Sequence, residues 1–226
     1  MSEGLAAAVT GLYAAFARQP RPAAMAYCDH CVRPDEVAVL LRVPPRELTP
    51  DQLARYAAKC LTTWGDVDDL RYLLPRLLEL LATGGLDDPV LPESLLGKVG
   101  AHRRDWPADQ RGAVEAYLRA WWAATLSGYP GPWEATTVLA AVGGAGVDVG
   151  PYLAAWAADG GEPAARHLAD HLFTRLPDNL PWAVTVRRWR AGPDPARILA
   201  EALLATGDPA VAAEVSAAYE TLVRPG

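Results

Sequence analysis

Apolar residues spaced for one face of a helix, opened by proline and closed by glycine, recur along this chain and leave little room for any fold but a helical one. The clearest start is Thr49-Pro50-Asp51-Gln52. A hydroxyl stands at the cap, proline occupies the first helical position, and a glutamine three residues after the threonine completes a capping box. Beyond it Leu53, Tyr56, Ala57, Cys60, Leu61 and Trp64 recur at i, i+3, i+4, i+7, i+8 and i+11. The spacing predicts one helix from this cap to Gly65, with Cys60 on its buried face. Asp66 caps the next, where Leu70, Leu73, Leu74, Leu77, Leu78 and Leu81 repeat the pattern up to Gly84-Gly85. Pro75 falls inside that run, so the second helix is expected to kink or to split in two.

The same signals predict helices over residues 2–18, a short one opening at Pro34, and others near 92–101, 107–126, 132–142, 149–158, 163–176, 181–191, 194–206 and 209–223. The apolar half of the chain is dominated by alanine and leucine, with only two phenylalanines, a mixture that favours helix over sheet. The expected fold class is therefore all-α. From residue 132 onward short helices alternate with short connections, a rhythm that fits either a HEAT-like α-solenoid or an irregular helical bundle. Residues 1–226 read as a single domain, with a candidate subdomain boundary at 84–92.

A net charge of -6 argues against a broad nucleic-acid surface, which needs clustered lysine and arginine. No run approaches the ~18 apolar residues of a membrane span, and Met1-Ser2-Glu3-Gly4 supplies no positive stretch ahead of an apolar one. The expectation is a cytoplasmic protein without a membrane segment. An odd number of cysteines in a reducing compartment disfavours structural disulfides.

Chemistry concentrates in Cys28-Asp29-His30-Cys31, which holds two of the three cysteines and one of the four histidines. A C-x2-C pair can clamp a metal, cycle as a dithiol or simply pack at a helix junction. A structural zinc needs about four ligands, so a site built on Cys28, Cys31 and His30 must borrow from Cys60, His102, His167 or His171. As a dithiol the pair lacks the βαβ context of thioredoxin-like enzymes. The all-α alkyl hydroperoxidase D family offers a nearer comparison, but Asp35 stands where that family has its histidine, and Pro34 intervenes.

Other groupings carry less. His167 and His171 share one helical face at i and i+4, but Leu168 replaces the glutamate of H-E-x-x-H, and two surface or groove-lining histidines are expected. Asp66, Asp68 and Asp69 lie at a helix start, where carboxylates cap N–H groups. His102-Arg103-Arg104-Asp105-Trp106 and Arg187-Arg188-Trp189-Arg190 combine cations with tryptophan, as nucleic-acid sites do. Here the expectation is arginines that offset helix C-terminal dipoles while their stems cover indole rings. No nucleophile elbow, phosphate loop or dinucleotide fingerprint is present, and Gly143-Gly144-Ala145-Gly146 reads as a turn.

The block Leu48-Thr49-Pro50-Asp51-Gln52-Leu53 through Tyr56-Ala57-Ala58-Lys59, followed by Thr62-Thr63-Trp64-Gly65-Asp66 and Tyr72-Leu73-Leu74-Pro75-Arg76-Leu77-Leu78-Glu79-Leu80, resembles a group of uncharacterised bacterial proteins that also carry an upstream cysteine pair. The resemblance covers about the second quarter of the chain. It implies a bacterial, cytosolic, helical protein and carries over neither substrate nor catalytic residue. The functional expectation is thus a helical binding or scaffold protein that recognises another protein, with no required cofactor. The alternative is a metal-binding, in particular zinc-binding, or thiol-redox protein centred on Cys28 and Cys31.

Overall fold

The computed structural model describes residues 1–223. Among them the chain forms twelve α-helices, and the only β pairing is two isolated bridges. The first half comprises α1 (Glu3–Ala15), α2 (Pro34–Arg42), α3 (Pro50–Lys59), α4 (Val67–Ala82), α5 (Leu91–His102) and α6 (Ala108–Leu126). The second comprises α7 (Ala135–Gly144), α8 (Gly150–Ala158), α9 (Glu162–Phe173), α10 (Pro181–Arg190), α11 (Pro193–Ala205) and α12 (Pro209–Val223). The all-α expectation is met, and the helix boundaries follow the proline and glycine punctuation closely.

Local chemistry accounts for the best-defined starts. The Thr49 hydroxyl accepts the Gln52 N–H, and the Gln52 side chain accepts the Thr49 N–H at 2.9 Å. Asp66 accepts the N–H groups of Asp68 and Asp69 at 2.9 and 3.0 Å, while the Asp69 carboxylate accepts the Asp66 N–H at 3.0 Å. Capping boxes therefore open both α3 and α4, which are joined by the segment 60–66.

That segment differs from expectation. α3 ends at Lys59 and does not run on to Gly65. Cys60 turns into extended backbone and Leu61 adopts a left-handed conformation at φ 61°, which costs a non-glycine residue about 1–2 kcal/mol. The Thr62 hydroxyl donates to the Lys59 carbonyl at 2.7 Å, satisfying one of the groups a helix end leaves open. Cys60 and Trp64 are buried all the same, because the loop folds back over the core that the helix would have covered.

α4 is continuous from Val67 to Ala82 through Pro75, so the expected split is absent. Leu70, Leu73, Leu74, Leu77, Leu78 and Leu81 are all buried along it, and this packing outweighs the ~3 kcal/mol that an interior proline costs. The Tyr117 hydroxyl of α6 donates to the Leu78 carbonyl at 2.8 Å, and the Trp133 indole N–H donates to the Leu81 carbonyl at 2.6 Å. α4 is thereby tied to the helix and loop on its other side.

The most extensive helix pairs are α5 with α7 and α1 with α6. α5 and α7 approach so closely because Gly100 faces Gly144 and Ala145; a β-carbon at Gly100 would lie 2.2 Å from the Gly144 carbonyl oxygen. One apolar cluster extends from Leu5 in α1 to Ala218 in α12 and includes Leu86 and Leu91 of the 84–92 segment. The contact between α1 and α6 joins helices far apart in sequence, whereas solenoid repeats touch only their neighbours.

Candidate functional site

The cysteine pair occupies the elbow between the extended segment after α1 and the first turn of α2. The Cys28 carbonyl accepts the N–H groups of Cys31 and Val32, both at 2.9 Å, which closes residues 28–32 into a tight turn. Upstream, the Cys28 N–H donates to the Thr63 carbonyl at 2.9 Å and the Gly65 N–H donates to the Ala26 carbonyl at 2.7 Å, enclosing an antiparallel bridge between Tyr27 and Trp64. The left-handed loop after α3 is thus the platform on which the pair rests. Trp64 anchors that platform, being 2% exposed and edge-on to Tyr56 with ring centroids 5.4 Å apart.

A second anchor lies downstream. Arg55, on α3, donates to the Cys31 carbonyl at 2.6 Å and to Glu36 at 3.0 Å. Glu36 in turn accepts the Arg33 N–H at 2.9 Å at the start of α2, and Val32 inserts its side chain into the core. The turn is held on both sides, and its two cysteines are half-buried residues.

The Cys28 thiol is held below its ordinary value, chiefly by a hydrogen bond from the Cys31 thiol and then by the backbone N–H groups of Cys31 and His30; slight burial and the Asp29 carboxylate act in the opposite sense. Donors aimed at a sulfur stabilise its thiolate, the form that attacks disulfides and binds metals. His30 itself is exposed, and its contribution to Cys28 is the main-chain N–H. Among the described residues no group of three or more histidine, cysteine, aspartate and glutamate side chains is disposed to hold a metal ion.

The remaining candidates serve the core. Cys60 has 0% exposure, donates its thiol to the Ala57 carbonyl at 3.3 Å and has the Lys98 ammonium 3.7 Å from its sulfur. Burial pushes this thiol up despite Lys98. His167 and His171 are not surface residues: they are 3% and 1% exposed. Nε2 of His167 pairs with the Gly128 carbonyl at 3.0 Å and Nδ1 of His171 pairs with the Thr136 hydroxyl at 2.6 Å, so the two rings share no ligand. α9 is buried on several faces, which its alternation of alanine, leucine and histidine conceals.

The arginines are likewise absorbed. Arg187 donates to the carbonyls of Pro177 and Asp178 at 2.7 and 2.8 Å, and Arg190 donates to those of Thr174 and His171. They close the end of α9 and the connection that follows it, not the end of their own helix. Arg103 binds the Ala145 and Gly146 carbonyls and Glu115. Residues that sequence reasoning missed are the supports of the pair: Thr63, Gly65 and Arg55. Their only visible signal is the turn-forming Thr62-Thr63-Trp64-Gly65, whose pairing with a distant segment no local pattern reveals. Comparison with family models, with curated proteins and with solved structures returns no match.

Proposed function

We propose that this protein is a helical scaffold, arranged as an irregular bundle, that presents the Cys28–Cys31 dithiol to a protein partner and exchanges disulfides with it in a reducing cytoplasm. The observation that carries this reading is the placement of the pair: both cysteines are half-buried in the 28–32 turn, which the Thr63 carbonyl and Arg55 hold from two sides. The Cys28 thiol is held below its ordinary value, and Cys31 is fixed through its carbonyl by Arg55. Cys28 is the attacking thiol and Cys31 the resolving one.

The reaction balances without a cofactor. The Cys28 thiolate attacks one sulfur of the partner's disulfide, forming a mixed disulfide and releasing the partner's other sulfur as a thiolate that takes up a proton. The Cys31 thiolate, its proton given to solvent, then attacks the Cys28 sulfur and releases the second partner thiol. Two electrons pass to the partner and the protein is left with a Cys28–Cys31 disulfide, which an external dithiol such as dithiothreitol reduces again.

The test is trapping. A Cys31→Ser variant mixed with a disulfide-bearing protein such as insulin should accumulate a mixed disulfide on Cys28, and a Cys28→Ser variant should not. Equal trapping at either cysteine contradicts the assignment. About one zinc per chain in protein purified without a histidine tag, lost in Cys28→Ser, would instead transfer the site to metal binding by Cys28, Cys31 and His30.

A further inference from the structure

We infer that the cleft between α6 and α8 is a binding site for a small monocarboxylic acid, with its carboxylate on Arg119 and an apolar body the size of a phenyl ring in the cleft. The site is built from other elements than the cysteine pair and does not depend on the thiol reading.

Helical spacing builds the cleft. On α6 Arg119, Trp122 and Ala123 fall at i, i+3 and i+4, and on α8 Tyr152 and Ala155 fall at i and i+3, with Asp159 at the C-cap. These side chains line a mostly apolar space of about 230 Å³. Trp122 and Tyr152 are buried and form its floor. The floor is fixed, because the Trp122 indole N–H donates to the Tyr152 carbonyl at 2.9 Å and its ring meets Trp156 edge-on at 5.2 Å. Ala123 and Ala155 are exposed on the two walls, and their methyl groups are too short to close the space between the helices. An apolar cavity of ~150 Å³ already admits benzene, so this one holds a ring and a short chain.

Charge selects the ligand. Arg119 is exposed, and it has no hydrogen bond or ion pair among the described residues. Glu115, one turn before it on α6, is already taken by Arg103 at 2.9 Å. The free guanidinium stands at the Tyr152 end of the cleft, where its charge acts on the Tyr152 hydroxyl. A planar fork of N–H donors there suits a carboxylate, which it can hold through two parallel hydrogen bonds. Asp159 lies seven residues beyond Tyr152, about 10 Å further along α8. Its carboxylate is turned onto the Gly161 N–H at 2.8 Å, so it serves as a filter and not as a second anchor. A cation at one end and a carboxylate at the other admit an acid with one charged end. A second carboxylate at the far end of the ligand meets Asp159 and is repelled.

The test is an NMR titration of the isotope-labelled full-length protein with hydrocinnamate, a phenyl ring on a short carboxylate chain. Saturable shifts are expected at the backbone amides of Ala123 and Ala155, with a Kd on the order of 1 mM for a ligand of this size. Hydrocinnamamide, which has the same shape without the charge, should bind about tenfold more weakly, the weight of one charge-assisted hydrogen bond. The para-carboxy derivative, whose second carboxylate faces Asp159, should also bind more weakly than hydrocinnamate. Arg119→Gln should abolish the difference between acid and amide, and Ala155→Leu, a longer side chain on an exposed wall, should remove binding of both. The inference is overturned if hydrocinnamate gives no saturable shift at tenfold that concentration, if acid and amide bind the unaltered protein equally, or if the shifts fall elsewhere in the chain. The comparison of acid with amide needs no variant, so misfolding of either substituted chain leaves the test standing. None of these results bears on the reactivity of Cys28.

Discussion

Replacing Gly100 by alanine places a methyl group where α5 and α7 leave no room. The new β-carbon would sit 2.2 Å from the Gly144 carbonyl oxygen and 2.8 and 3.0 Å from Ala145 backbone atoms, so two helix backbones must separate. Overpacking of this kind costs about 1–3 kcal/mol, and contact with main chain in place of a flexible side chain puts it near the upper end. Exchange of glycine for alanine inside a helix returns about 1 kcal/mol. The expected net loss is about 2 kcal/mol, or roughly 4–8 °C in melting temperature for a chain of this size. Gly97 lies on the same helix with nothing within 4 Å of its β position, so Gly97→Ala should stabilise by about 0.5–1 kcal/mol. Urea titrations of both variants at constant m-value measure the two changes. The packing argument fails if Gly100→Ala is neutral or stabilising, or if both substitutions shift stability in the same direction.

Two further outcomes follow from buried polar groups. The His171 imidazole is held neutral by burial and by the neighbouring Arg190 guanidinium, and its pKa is pushed down to about 3. Between that value and its ordinary one near 6.5 the unfolded chain binds the extra proton, so stability should fall as pH drops from about 6.5 toward 3, by an amount on the order of a few kcal/mol. The pH dependence of denaturation in that window should flatten in His171→Gln; an unchanged slope would place the effect elsewhere. Asp66→Ala deletes the cap of α4 and its two short hydrogen bonds, and a loss of about 1 kcal/mol is expected in the same titrations, against no change if solvent replaces the cap.

The parts of this molecule legible in its sequence are those decided within a few residues. The capping box at Thr49 and Gln52, the cap at Asp66 and the proline starts of α2, α5 and α10 all depend on local backbone chemistry. Where the same apolar spacing can be satisfied in another way, the structure departs from the local pattern. Cys60 and Trp64 keep their buried places in a left-handed loop after α3 has ended, because burial constrains the side chain and not the helix that was expected to carry it. Pro75 is overruled by leucines on every side of α4. The histidines of α9 do share a face, as i and i+4 spacing requires, but that face meets Thr136 and Gly128 from other parts of the chain. For the candidate site, Cys28 and Cys31 stood out at once by their residue type and spacing. Their supports did not, since these come from Thr63 across a bridge and from Arg55 on a neighbouring helix.

The central claim is that Cys28 is the reactive member of the pair. Alkylation of the native protein by iodoacetamide across a pH series, with each cysteine quantified by peptide mass analysis, tests it directly. Cys28 should react fastest, with half-maximal rate below the ~8.5 of an ordinary thiol, while Cys60 reacts only on unfolding. A half-maximal rate for Cys28 at or above that value, or a rate no greater than that of Cys31, would contradict the account.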